Sequence, residues 1–348
     1  MGNSARGIFL TTLIVVGVVV GVLALWKLRL LIALLFFAFI VAAAMRPGIE
    51  ALRRRGIPRG VGIAAHYVAI AGLLGVLLWL AVPRAADQVQ EAVGSDSLRD
   101  EARQETGWRH DALLELDRWL NDLPSTTNVA DRALDATRLG FEILIGVFFV
   151  FASAAYWIFE RQRAMALVLL LVPEKKRKVV RDTWDLIDLK LGAYVRGQLI
   201  LIVAVATVLS LAFWAIGLPY WLLVGAFAGV VEIVPVIGPL TAGALAVGVG
   251  LTESWQLGLA AGVIVLVVRL AEDYLVIPKV LGDAVGLSPL LVLVAVTATA
   301  ILFGAVAVLL AIPLAAVLAT LVSVVVLDRD PAKEDVPTVL FPAQDAEN

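Results

Sequence analysis

Apolar residues run through this chain in blocks long enough to cross a bilayer, and two of the blocks are too long to be single helices. Eight stretches stand out: 7–25, 30–45, 60–82, 139–159, 197–217, 220–250, 256–277 and 287–327. A spanning helix needs about 20 residues, whereas the sixth and eighth stretches hold 31 and 41. Both contain proline, which removes a helical hydrogen bond and frees a carbonyl. Backbone of that kind survives at membrane depth only where it is buried in protein or lines a cavity. The expectation is an all-α integral membrane protein of about eight transmembrane segments, two of them proline-broken or re-entrant hairpins.

Composition narrows the function. Hydrophobic residues make up 61% of the 348 and charged residues 17%, so the lipid bilayer is the solvent for most of the surface. With a net charge of −2 there is no broad basic field, which argues against nucleic acid as a partner. The chain has no cysteine and two distant histidines, His66 and His110, so thiolate and histidine metal chemistry lack their parts and no cofactor is expected. Paired-aspartate and zinc-histidine motifs of intramembrane enzymes are missing too, and the expected class is not an enzyme. No Gly-rich Lys-Ser/Thr loop is present to drive a primary pump. The apolar run from Gly7 to Trp26 reads as a retained first helix rather than a signal peptide, and Arg6 stands where a myristoylation motif needs Ser or Thr.

Orientation follows from the basic loops, which stay cytoplasmic. Residues 46–59 carry Arg46, Arg53, Arg54, Arg55 and Arg59 against Glu50, and residues 160–196 carry nine basic side chains against five acidic ones. Residues 84–138, with twelve acids and seven arginines, then belong on the other side. The organisation read from this is an N-terminal set of helices one to three over 1–83, an extracytoplasmic helical insertion over 84–138, helix four with a cytoplasmic amphipathic helix over 139–196, a C-terminal transport core with broken helices over 197–327, and a flexible cytoplasmic tail over 328–348. Leu113, Leu116, Leu120 and Leu123 give the insertion helical spacing. Val180, Trp184, Ile187, Leu191 and Val195 form the stripe of the amphipathic helix, and its basic start at Lys175 to Lys178 with Arg181 suits anionic headgroups at the membrane surface. Trp79, Trp157, Trp221 and Trp255 fall near span ends, where indole rings favour headgroup depth.

Ionisable residues inside spans cost about 2.5 to 3.5 kcal/mol on insertion scales and are candidate functional groups. Glu232 lies in Val230-Val231-Glu232-Ile233-Val234-Pro235-Val236-Ile237-Gly238-Pro239, where two prolines and a glycine unwind the backbone. It either holds a cation or a polar substrate, or pairs with an arginine such as Arg269. Arg269, Glu272 and Asp273 share nearly one helical face ahead of Tyr274, Pro278 and Gly282; they read as a local ion pair or as a gate. Tyr194, Arg196 and Gln198 mark the passage from amphipathic helix to span, where Arg196 either snorkels or contacts substrate. The order of a simple span then a broken stretch, twice over, suggests two inverted units with a substrate site at their interface. A carboxylate relaying protons in that site would make transport pH-dependent. Against these transporter readings stands a channel or a non-transporting membrane scaffold, which would tolerate loss of Glu232 or Asp273.

Five segments taken together carry a resemblance: Tyr194-Val195-Arg196-Gly197-Gln198, Glu232 through Pro239, Pro278-Lys279-Val280-Leu281-Gly282, Leu287-Ser288-Pro289 and Ala311-Ile312-Pro313-Leu314-Ala315. In that order the chain resembles the autoinducer-2 exporter family of bacterial membrane permeases. The resemblance implies a multi-pass inner-membrane homo-oligomer; the basic loops and the parity of the spans place the N- and C-termini on the cytoplasmic side. It also implies transport without ATP hydrolysis, either export of a small hydrophilic solute such as autoinducer-2 or antiport of sodium and protons. Carried over by position, the transport pathway is expected at Glu232, Pro235, Gly238, Pro239, Glu272, Asp273 and Pro278, with Arg269, Arg196 and Gln198 as further candidates.

Overall fold

In the computed structural model the described residues are 2–72, 129–234, 237–277 and 287–334, together with Gly75, Trp79, Pro83 and Val336. They are helical with no strand among them, so the chain is an all-α membrane protein. In chain order the helices are α1 (Gly2–Lys27), α2 (Arg29–Arg54), α3 (residues 59–72), α4 (Val129–Leu170), α5 (Glu174–Ala215), α6 (Trp221–Val231), α7 (Ile237–Glu253), α8 (Trp255–Ala271), α9 (Pro289–Phe303) and α10 (Ala311–Val325). Among the described residues four helical runs are long and apolar enough to span on their own: Arg29–Arg54, Gly140–Leu170, Glu174–Ala215 and Ala307–Val325. The region 84–128, including the leucine stripe of the expected insertion, lies outside the described residues.

Helices α2, α4 and α5 outrun their apolar stretches. Pro47 lies inside α2, which continues through the arginines to Arg54. Proline cannot donate, so the carbonyl of Ala43 loses its helical partner; one residue on, Arg196 donates to the Ala44 carbonyl at 3.1 Å. The amphipathic segment and the fifth span form one 42-residue helix, α5, because no residue between them interrupts the backbone ladder. Protein rather than lipid covers the segment's apolar stripe. Trp184 stacks on Trp157 with centroids 5.8 Å apart, and Phe39 meets Trp157 edge-on at 5.1 Å; Leu191 packs with Ile40, Ala43 and Ala316. Trp157 thus works as an interhelical contact, whereas Trp255 is exposed as a headgroup anchor would be. Of the basic start, Lys175, Lys176, Lys178 and Arg181 are exposed, compatible with a headgroup surface.

The sixth stretch is broken as its composition demands. α6 has 11 residues and, at 1.5 Å rise each, is about 16 Å long, roughly half the hydrocarbon thickness. The chain then turns back so closely that a Cβ on Gly238 would overlap the carbonyl oxygen of Val231 and stand 2.6 Å from its carbon. α6 and α7 pack together, with Val224 and Ala228 meeting Ala242 and Ala246 in a cluster that also takes in Leu209 and Phe213 of α5 and Ala261 of α8.

The eighth stretch is broken elsewhere than its prolines suggest. Pro289 opens α9 behind the cap Ser288, whose side chain accepts from the Leu291 amide at 3.3 Å, and Pro313 lies in the first turn of α10. First-turn proline costs no hydrogen bond. The break falls at Gly304, with φ 89° and ψ 174°, a backbone region open essentially to glycine alone. After it a 3₁₀ turn, Ala305–Leu310, leads into α10, and Val296, Val308 and Ala311 close the corner.

The start of the tail is docked rather than loose. Glu334 accepts from Lys190 at 2.6 Å, Lys190 also donates to Thr320 at 3.3 Å, Pro331 is buried, and Val336 packs on Ala193. A lysine buried in α5 needs such a counter-charge. Residues 337–348 are outside the described set.

Candidate functional site

α6 ends because the segment before Pro235 cannot continue the helical ladder, and its last carbonyls need other partners. One of them, the carbonyl of Glu232, accepts from Gln198 Nε2 of α5 at 3.1 Å. The Glu232 side chain is buried and its Oε1 accepts from Arg269 Nη1 at 2.8 Å. The same guanidinium donates to Glu272 Oε2 at 3.1 Å and pairs through Nη2 with Asp273 Oδ1 at 2.9 Å.

Three carboxylates therefore share one arginine. The i, i+3 and i, i+4 spacing brings Glu272 and Asp273 to Arg269, and the fold-back of α6 onto α7 and α8 brings Glu232. Exposure is uneven: Glu232 and Glu272 are buried, Arg269 is 29% exposed and Asp273 41%. Glu272 also opens a π-turn, Glu272–Val276, a distortion common at functional sites because it re-aims side chains. Glu272 Oε1 is buried with no hydrogen-bond donor among the described residues. The arrangement is a compact polar island among apolar helices, with more acid than base and one acceptor unfilled.

Of the residues singled out in the sequence, Gln198, Glu232, Arg269, Glu272 and Asp273 come together, with Gly238 and the half-buried Pro239 at the adjoining start of α7. Arg196 points to the α2 carbonyl instead, and Tyr194 beside it is buried. Pro235, Pro278 and Gly282 lie outside the described residues. His66 is locally satisfied, its Nδ1 donating to the Gly62 carbonyl at 2.8 Å. No group of three or more metal-ligating side chains occurs among the described residues.

A second ionic cluster carried no signal beyond charge. Asp188 of α5 is buried, and its Oδ2 accepts from Arg46 of α2 at 3.2 Å and from Arg161 of α4 at 2.7 Å, while Arg161 also pairs with Asp185. These residues are scattered over three helices, and only the packing of α2 and α4 on α5 unites them.

Comparison with known proteins gives the context of this geometry. The AI-2E family transporter profile matches residues 12–326. YrrI of Bacillus subtilis (strain 168), provisionally named a transport protein, is 25% identical over 288 residues, covering 78% of this chain and 80% of its own. YueF of the same organism, provisionally named likewise, is 30% identical over 142 residues, covering 40% of this chain and 37% of its own.

Proposed function

We propose, from the premise that this chain belongs to the AI-2E family of transporters, that it exports a small hydrophilic solute through a pathway lined by the Glu232, Arg269, Glu272 and Asp273 cluster. Membrane transport is the family's role; the cargo, with autoinducer-2 as the leading candidate, is the reading advanced here. The observation that carries it is the buried cluster itself, held where the backbone of α6 is interrupted. Such a site offers carboxylate acceptors beside an interrupted helix to a hydroxylated solute, and transporters bind substrate at broken helices. No catalytic role is assigned to any residue.

The setting we propose is the bacterial inner membrane, with both termini cytoplasmic because the basic segments 46–59 and 160–196 hold that side, and with the chain acting as a homo-oligomer. The domain plan of an N-terminal helix set, an extracytoplasmic insertion over 84–138 and a transport core over 197–327 belongs to the same proposal, with the two fold-backs supporting a pair of re-entrant hairpins. Pro235 and Pro278 complete the pathway in this reading, Gln198 positions the break, and Arg196 contributes through α2.

The excess of three carboxylates over one guanidinium favours a second reading, sodium/proton antiport, in which an acid exchanges its cation. Proteoliposomes of the purified protein separate the two. Labelled autoinducer-2 flux that is lost in Glu232→Gln carries the export reading. Sodium-driven lumenal pH change carries antiport, which pH-independent flux would end. Absence of both from well-folded protein points to another cargo or to a scaffold.

A further inference from the structure

A cleft of about 120 Å³ opens between α2, the start of α3 and α4, floored by Asp188 of α5. Arg46, Arg53, Arg54, Arg59 and Arg161 line it, against Glu50 and Asp188. The acids are engaged: Asp188 takes Arg46 and Arg161, and Glu50 takes Arg53 at 2.7 Å. Arg54 and Arg59 have no acidic partner among the described residues. Two guanidinium groups thus reach one concave surface without an acidic partner among the described residues, beside three more that are held by Glu50, Asp185 and Asp188. Guanidinium forks match the oxygens of a phosphate in geometry and charge.

The cleft sits where the apolar run of α2 gives way to arginine, which is the depth of lipid headgroups. Its volume has room for a phosphate group, and the cleft is open, so the rest of a phosphorylated ligand can lie outside it. On the outer side of α4, Tyr156 and Phe159 are exposed at the same level, an apolar wall along which an acyl chain can lie.

We infer that this arginine-lined cleft is a phosphate-binding site, filled by the headgroup of an anionic phospholipid or by a soluble phosphate compound. It is separate from the Glu232 cluster, shares no residue with it and stands whether or not that cluster carries solute.

The test uses the full-length protein in neutral detergent, with the change in intrinsic tryptophan fluorescence, to which Trp157 at the cleft contributes, as readout in titrations with phosphatidylglycerol in mixed micelles and with glycerol 3-phosphate. Melting temperature under each probe gives a second readout. Saturable binding is expected, weakened about 30-fold in Arg54→Gln/Arg59→Gln, equivalent to about 2 kcal/mol, and unchanged in Arg163→Gln/Arg329→Gln, whose side chains are exposed and do not line the cleft. Binding of phosphatidylglycerol that glycerol 3-phosphate fails to displace assigns the site to lipid; binding of glycerol 3-phosphate alone assigns it to a soluble ligand. Failure of wild-type protein to bind either probe, or equal weakening in both double variants, overturns the inference.

Discussion

Arg269, in the last turn of α8, donates to Glu232 at the end of α6 at 2.8 Å, so that one guanidinium ties together two helix ends separated by the whole of α7. The same side chain holds Glu272 and Asp273 from its own helix. Its removal has a different meaning from removal of any one acid, and the first two predictions rest on that asymmetry.

Arg269→Ala leaves Glu232 and Glu272 buried without their cation. Breaking a buried pair from one side costs about 3 to 5 kcal/mol, and the partial exposure of Arg269 places this case at or below the lower end. The expected outcome is a clear fall in melting temperature in detergent and lower yield of monodisperse protein. Adding Glu232→Gln and Glu272→Gln to the same chain should recover much of that stability, since the stranded charges are then gone. A triple variant as unstable as Arg269→Ala would show that the arginine stabilises by packing alone.

Glu232→Gln keeps size and one acceptor, and leaves Arg269 with two carboxylates. Insertion and melting temperature should stay near wild type while flux in proteoliposomes drops at least tenfold. Asp273→Asn, at a side chain 41% exposed, should lower flux less. Equal, wild-type flux in both variants would remove the cluster from the pathway.

Gly238→Ala forces a side-chain methyl group into the backbone carbonyl of Val231, so the α6–α7 turn must open. Gly248→Ala, in the same helix with nothing within 4 Å of its added carbon, should be neutral or stabilising by up to about 1 kcal/mol from helix propensity. Thermal melts of the pair compare close approach with propensity directly, and similar melts would refute the tight turn.

Gly304→Ala must hold a side chain at φ 89°, ψ 174°, at a cost of about 1 to 3 kcal/mol. The loss should appear as a lower melting temperature, and crosslinking between α9 and the 3₁₀ turn should weaken. Pro313→Ala, in contrast, changes a first-turn residue and should leave the corner in place.

Glu334→Ala strands Lys190, buried in α5, with Thr320 alone. Protease cleavage between residues 328 and 336 should speed up several-fold. Adding Lys190→Met should restore stability without restoring protection, because the tail then has no charge to hold.

The fold class was legible in the chain because lipid imposes a strict rule: long apolar runs must be helices. The local group Arg269, Glu272 and Asp273 was equally legible, since helical periodicity alone sets their common face. The break near Gly238 was readable from its prolines and glycine, whereas the break at Gly304 was hidden behind the more conspicuous Pro289 and Pro313; proline looks the same in sequence whether it ends a helix or begins one.

What only the tertiary structure decided are the contacts between helices. The meeting of Glu232 with Arg269, the capture of Arg196 by the Ala44 carbonyl, and the gathering of Arg46, Arg161 and Asp188 all depend on which helix faces which. Apolar helices in lipid carry little sequence record of that choice. Their outward and inward faces are both hydrophobic, and partners are selected by close packing of small residues such as Ala228, Ala242, Ala246 and Ala261, a matter of shape that composition and periodicity do not encode.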